Sequence, residues 1–418
     1  MSVNMLGLFR CVRSATRFSQ VPRFPLITQR AFEKGTKISE CGFHTTSPRA
    51  AIPPVVLIVL RPALRVVAFF AGRNFRKWWR SLPKDKREHY WSRIKEKKWK
   101  ILGGGAVTSA MAYWFYMSHL EVEPITGRER FSIVSTKQIQ DLSQLEFQAI
   151  CTEYASRIEP IKHPYYARVK RVADRLLHAN KHLPQIYTKT WTITVLDDPR
   201  NMNAFVLPNG NIFVFTGMLD FCTTDDELGV VLGHEISHCL LGHAAENVSR
   251  EHLLEAIKLV LIALAWAFLP SDILSLLGYG VGAGAVNATL RYPYSRHLEN
   301  EADQVGIHLA AKACFDVRAA LAFWAKMDIF HEVDLLASQE WLSTHPSHKT
   351  RVAKIEGQLP DAISFRKYCK CPDLPPQDPR HEIESFRQAI SEFKTYRPPV
   401  GVFLDVPNMA VSAIDIES

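Results

Sequence analysis

His234-Glu235-Ile236-Ser237-His238 sits inside the run from Asp225 to Ala245, which reads as one helix. Residues four apart on an α-helix lie about 40° from eclipsed, so both imidazoles project from one face, a turn apart. Two nitrogens placed that way suit a single Zn²⁺ at about 2.0–2.1 Å. Glu235 is displaced by one residue and reaches a water at that metal without filling a ligand position. The pattern points to metal-assisted hydrolysis. The plain alternative is a helix whose histidines are only polar surface.

Catalysis at such a site needs a third protein ligand and an open position. Metzincins place Gly three and His six residues beyond the second His; here those positions hold Leu241 and Ala244, which excludes that class. His243 lies about 140° from His238 around a continuous helix and is read as pointing elsewhere. The ligand must then be a carboxylate from a second helix. In Ser295 to Gly306, Glu299 and Asp303 share one helical face, and Ala302 is small enough for close packing. Glu299 is assigned as the third ligand, for one Zn²⁺ per subunit. Asp303 is assigned as the acceptor for the free N–H of a ligating His, which fixes its tautomer. Glu301 points off that face and is the main competitor for the ligand role.

The chain has 418 residues, 47 % of them hydrophobic, enough for one sizeable core and additional segments. Its net charge of +9 is uneven: the first hundred residues carry +17 and the remainder −8. A nucleic-acid partner would require basicity on the folded domain, which is acidic, so that class is excluded. Of eight cysteines only Cys369 and Cys371 are close in sequence, and no CxxC frame for structural zinc exists. Those two either close a disulfide in an oxidising compartment or stay free.

Residues 1–50 are rich in Arg and Ser/Thr, with no acid before Glu33, the composition of a mitochondrial transit peptide. Residues 51–100 form a basic, partly amphipathic segment. Within it 52–71 is apolar but interrupted by Arg61 and Arg65, which favours a helix lying on a membrane surface over a span. Residues 73–100 interleave twelve Lys/Arg with Trp78, Trp79, Tyr90, Trp91 and Trp99, a composition suited to anionic lipid such as cardiolipin. Ile101–Ser118 follows without a charge, so a transmembrane helix is expected over 101–119. The positive-inside rule then puts 51–100 in the matrix and everything after about 120 in the intermembrane space.

Downstream, helices are expected over 135–156, 164–179 and 382–396, and a strand over 191–195. Pro208-Asn209-Gly210 between two apolar runs signals a hairpin, which offers an edge strand to an extended peptide. The fold class is mainly α with a small β-sheet, the catalytic domain occupying 120–360 and a C-terminal extension 361–418.

HExxH at 234–238 with ExxAD at 299–303, and Thr344-His345-Pro346…Arg351 beyond, resembles the membrane-bound zinc endopeptidases that include the CAAX prenyl protease and bacterial heat-shock membrane proteases. Adding Pro124–Arg128, Asn203–Gly210, the leader and one early span, the chain resembles most closely their mitochondrial inner-membrane stress proteases, whose activity overlaps the m-AAA protease. The resemblance implies a gluzincin-type domain that cleaves inner-membrane proteins, the dynamin-like fusion GTPase among them, on stress or depolarisation. It leaves room for a homo-oligomer. Glu235 is read as the general base, and His345 and Arg351 as groups that steady the oxyanion or regulate the site.

An apolar insertion, 257–288, separates His238 from Glu299 and is split by Pro270-Ser271-Asp272. A single crossing would strand Glu299 across the membrane from the histidines. Two crossings need about forty residues, whereas the apolar runs 259–268 and 273–286 are shorter, so a re-entrant or interfacial hairpin, or two buried core helices, is expected. Two other readings are an intramembrane protease, disfavoured by the polar run Thr223 to Glu227, and a non-catalytic membrane scaffold or chaperone.

Overall fold

The computed structural model describes residues 54–332, 349–395, 404–406 and 409–411. The transit segment 1–50 and His345 lie outside the described residues. Three helices, α1 (Pro54–Ser81), α2 (Lys84–Glu96) and α3 (Lys98–Ser118), lead into a hairpin of β1 (Leu120–Val122) and β2 (Glu129–Phe131). The turn Glu123–Arg128 belongs to a separate small unit, in which the Glu123 carboxylate accepts from the Ile125 and Thr126 N–H groups at 2.9 and 2.6 Å.

Local signals set the next helices. α4 (Thr136–Glu153) begins on a reciprocal capping box of Ser135 and Gln138, which satisfies two otherwise orphaned N–H groups. α5 (Pro164–Ala179) carries Pro at its start and buries Val169, Val172, Ala173 and Leu176, a single helical stripe. After the short α6 (Pro184–Tyr187) comes a three-stranded sheet in the order β3 (Thr192–Leu196), β5 (Asn211–Phe215), β4 (Ala204–Val206). The central β5 is buried throughout, parallel to β3 and antiparallel to β4. Phe147 and Ile150 of α4, with Tyr154 just past its end, pack over it. The hairpin expected at 208–210 therefore forms, with β4 as an edge strand.

α7 (Thr216–Phe221) precedes α8 (Asp225–Leu240), whose first turn holds Asp225, Asp226 and Glu227, favourable at a helix N-terminus. The helix expected to run to Ala245 stops at Leu240. Gly242 adopts the left-handed conformation (φ 67°), and a Cβ there would lie 2.6 Å from the Arg130 guanidinium, which donates to the Leu241 carbonyl. α9 (His243–Phe268) then departs in a new direction, followed by α10 (Asp272–Val286), a π turn (Asn287–Arg291) and α11 (Tyr292–Lys312). α12 (Ala319–Glu332), α13 (Lys349–Tyr368), α14 (Glu382–Thr395) and a small hairpin of β6 (Leu404–Val406) and β7 (Met409–Val411) complete the described chain. α5, β4, α11 and α12 enclose α8.

The apolar segments differ from expectation. α1 extends to Ser81 and packs along α9. The 257–288 insertion is not a pair of buried core helices, since Val260, Leu264, Phe268, Leu277 and Val281 are exposed. Asp272–Lys312 is the one described helix long and apolar enough to cross a membrane by length and composition. α3, where the span was expected, carries no charge over Ile101–Ser118 and buries none of its residues, but it does not meet that measure of length and composition. Cys371 pairs with Cys314, 57 residues away, and Cys369 is free of any disulfide, so the adjacent pair does not bond to itself.

Candidate metal centre

The site forms where α8 crosses α11. The two backbones touch at Gly233 and Gly306: a Cβ on Gly306 would lie 2.8 Å from the His234 Cα and N. This contact brings the two helices close enough to share ligands. Ala302 is also buried, but the two glycines set the approach.

His234 Nε2 is 3.1 Å from His238 Nε2 and 3.4 Å from a Glu299 oxygen, while His238 Nε2 is 3.6 Å from the other Glu299 oxygen. Nitrogen and oxygen ligands arranged tetrahedrally at 2.0–2.2 Å from one ion sit about 3.3–3.6 Å apart, close to these separations, with one Glu299 oxygen facing each histidine. It is a group of three candidate ligands whose ligand atoms all lie within 4.8 Å of one another. Glu235 is buried, with a carboxylate oxygen 3.9 Å from His234 Nε2.

Behind His234, Asp303 Oδ1 lies 3.0 Å from its Nδ1. Arg351 donates to both Asp303 oxygens, at 2.6 and 2.7 Å, approaches Glu299 to 3.1 Å, and lies 3.7 Å over the Trp324 ring. Burial alone would push the Asp303 carboxyl up, but the Arg351 charge and the His234 bond hold it below its ordinary value. Burial likewise pulls His234 down, and is outweighed by hydrogen bonds to Asp303 and Glu299, which raise the metal-free imidazole to about 9.

Sequence reasoning missed the support behind His238. Because the chain breaks at Gly242, His243 folds back and its Nδ1 comes to 2.8 Å from His238 Nδ1; its Nε2 is 3.3 Å from Glu301 Oε2. His243 does not point elsewhere, and Glu301 faces His243. A ring that gives Nε2 to a metal keeps its proton on Nδ1, so His243 must accept there and donate onward to Glu301. The Gly242 signal was present in the sequence, but it was read within an uninterrupted helix.

Among the described residues, four buried carboxylates, Glu235, Glu299, Glu301 and Asp303, thus share a small volume with one buried guanidinium, Arg351. That excess of negative charge is what a bound dication would offset.

The chain belongs to peptidase family M48, whose profile matches residues 166–359, from α5 into α13 and across both metal-bearing helices. It is similar to mitochondrial enzymes over most of its length and to bacterial proteases over shorter stretches. It is 42 % identical to human "Metalloendopeptidase OMA1, mitochondrial" over 345 residues, 81 % of this chain and 65 % of the human protein. The zebrafish protein of that name is also 42 % identical over 345 residues, covering 81 % of this chain and 71 % of its own length. "Mitochondrial metalloendopeptidase OMA1" of Schizosaccharomyces pombe is 34 % identical over 277 residues, 66 % of this chain and 77 % of its own. The chain thus spans under two thirds of the human relative's length.

Proposed function

We propose that this protein is a zinc-dependent endopeptidase of the mitochondrial inner membrane, with His234, His238 and Glu299 as ligands and Glu235 as general base. The observation that carries the reading is the cluster of His234, His238 and Glu299, with nearest ligand atoms 3.1–3.6 Å apart, and a buried Glu235 beside it. Zinc held there would supply Lewis acidity, acidifying water and polarising a scissile carbonyl. Glu235 takes the proton of the attacking water and delivers it to the leaving amine. Asp303 fixes the tautomer of His234, and Arg351 positions Asp303. With its guanidinium committed to Asp303, Arg351 is better suited to that supporting role than to steadying an oxyanion. His345 stays a candidate for the oxyanion. The edge strand β4, packed against α8, is a surface to which an extended substrate can add by main-chain hydrogen bonds.

The leader composition and the names of the relatives support a mitochondrial location. The proposal extends to a catalytic domain facing the intermembrane space. It includes inner-membrane substrates such as the dynamin-like fusion GTPase, cleaved on stress, and contact with anionic lipid such as cardiolipin. Glu235 and Glu299, both in place, weigh against a non-catalytic scaffold.

The test is cleavage of a membrane-anchored substrate by the full chain in lipid, alongside its Glu235→Gln variant. The variant should keep its zinc and lose cleavage by at least about a hundredfold. Equal cleavage by the two would overturn the reading.

A further inference from the structure

The packing of α1 conflicts with a single early span. Arg61 Nη2 lies 3.3 Å from His252 Nδ1, and His252 is nine residues along α9 from His243. Nine helical residues cover about 14 Å, half the thickness of a bilayer's hydrocarbon core. The start of α1 therefore sits at the level of the metal centre rather than across a membrane from it.

Contacts along α1 give its direction. Arg65 bonds Glu255 at 2.6 and 2.9 Å, Phe69 stacks edge-on with Trp266 at 4.3 Å, and Arg76 donates to the Leu269 carbonyl at 2.9 Å. Partners advance together on both helices, so α1 runs parallel to α9.

The other helices end at the same two levels. Near the metal centre, the His119 carbonyl after α3 accepts from Ser132 N–H, and Ile133 N–H donates to Ser249 of α9. The far end of the α10 segment returns to that level, where Arg250 donates to the Leu290 carbonyl and Arg291 pairs with Glu251 at 2.9 Å. At the opposite level lie the α9–α10 turn, where Arg73 meets Asp272 at 3.0 Å, and the α1–α2 junction, where Trp78 meets Tyr90 and Trp79 meets Trp91 with ring centroids 5.8 and 6.0 Å apart.

Three separate stretches connect the levels: Glu251–Leu269, Asp272–Leu290 and the uncharged Ile101–Ser118. Each rises about 27 Å, close to the hydrocarbon thickness of about 30 Å. Between the levels the outer faces are apolar and exposed, as at Val67, Leu264 and Val281, the last 75 % exposed. At intermediate depth Arg65 pairs with the buried Glu255, and at the far level Arg73 and Arg76 pair with Asp272, the partnering that arginines in a membrane require. The far level holds the basic, aromatic α2 with the ends of α1 and α3, as the positive-inside rule requires.

We infer that α1, α3, α9 and α10 all cross the bilayer, so that residue 54 lies on the same side as the metal centre and, among the described residues, only α2 and the α9–α10 turn emerge opposite. The inference rests on the membrane location in the proposed function and is independent of the zinc chemistry. An even number of crossings before the catalytic domain, and again within it, keeps His238 and Glu299 on one side.

The test uses the full chain in mitochondria whose outer membrane has been opened. Added single cysteines, Pro54→Cys, Lys86→Cys and Lys137→Cys, are labelled with a membrane-impermeant maleimide mass tag against the unsubstituted chain as background. Pro54→Cys and Lys137→Cys should label at once, and Lys86→Cys only after the inner membrane is permeabilised. Protection of Pro54→Cys together with Lys86→Cys would restore the single span and overturn the inference. Immediate labelling of all three would mean a bundle lying flat, with the same effect. Release of the chain by alkaline carbonate would instead sink the membrane location itself.

Discussion

Replacing Arg351 by Leu separates two roles for this arginine. Its guanidinium makes two bonds to Asp303, at 2.6 and 2.7 Å, and both groups are buried. Removing one partner of a buried, hydrogen-bonded ion pair costs about 3–5 kcal/mol because the other charge is left uncompensated. Against a total of roughly 5–15 kcal/mol for a folded domain that loss is large, and corresponds to roughly 6–20 °C in melting temperature. Neutralising Asp303 at the same time removes the uncompensated charge, and Asn keeps an oxygen for His234. Asp303→Asn/Arg351→Leu should therefore regain most of the stability lost in Arg351→Leu. Zinc affinity should remain about 10–100-fold weaker, because the support behind His234 is altered. Tryptophan-fluorescence melts of wild type, both single variants and the double variant, with chelator competition for zinc, complete the cycle. If Arg351 acts instead on the reacting oxyanion, Arg351→Leu will lose turnover while melting within about 2 °C of wild type. That result, or a double variant no more stable than Arg351→Leu, would refute the supporting role.

Three further outcomes follow from the geometry. His243→Phe should weaken zinc affinity about 10–100-fold, with His243→Gln closer to wild type because it can still accept from His238; equal affinity in all three proteins would remove His243 from the support of the site. Metal-free His234, raised to about 9, holds a proton at pH 7.5 that a metal must displace. Its proton stabilises the metal-free fold below about pH 6.5, and that contribution fades as pH rises through about 9. Zinc titration of metal-stripped protein in buffers of different ionisation heat should show about one proton released from His234 at pH 7.5 and none at pH 10; no release at pH 7.5 would contradict this. The Cys314–Cys371 bond closes a long loop, worth up to about 4 kcal/mol by chain entropy, so Cys371→Ser should melt well below wild type. Peptide mapping without reduction should link Cys314 to Cys371, and a Cys369–Cys371 link would contradict the pairing.

What the sequence made legible was local. HExxH and ExxAD each read as one helical face, because ligand spacing within a helix depends only on its period. The capping signal at Ser135, the stripe Val169 to Leu176 and the Pro208-Asn209-Gly210 turn are equally short-range. What escaped depended on distant partners or on a single backbone conformation. Gly242 ends α8 without a polar linker, so the pattern runs on while the axis turns. His243 meets Glu301 58 residues away, Arg351 meets Asp303 at 48, and Arg65 meets Glu255 at 190. No periodicity encodes such pairings. The arginines of α1 find acidic partners on α9 and α10 that no local pattern announces.

Zinc content of purified Glu299→Gln beside Glu301→Gln tests the ligand set most directly. One zinc per chain in wild type and in Glu301→Gln, bound more weakly in the latter, with none retained by Glu299→Gln, is the expected result. Zinc kept by Glu299→Gln and lost from Glu301→Gln would contradict it and transfer the third ligand to Glu301.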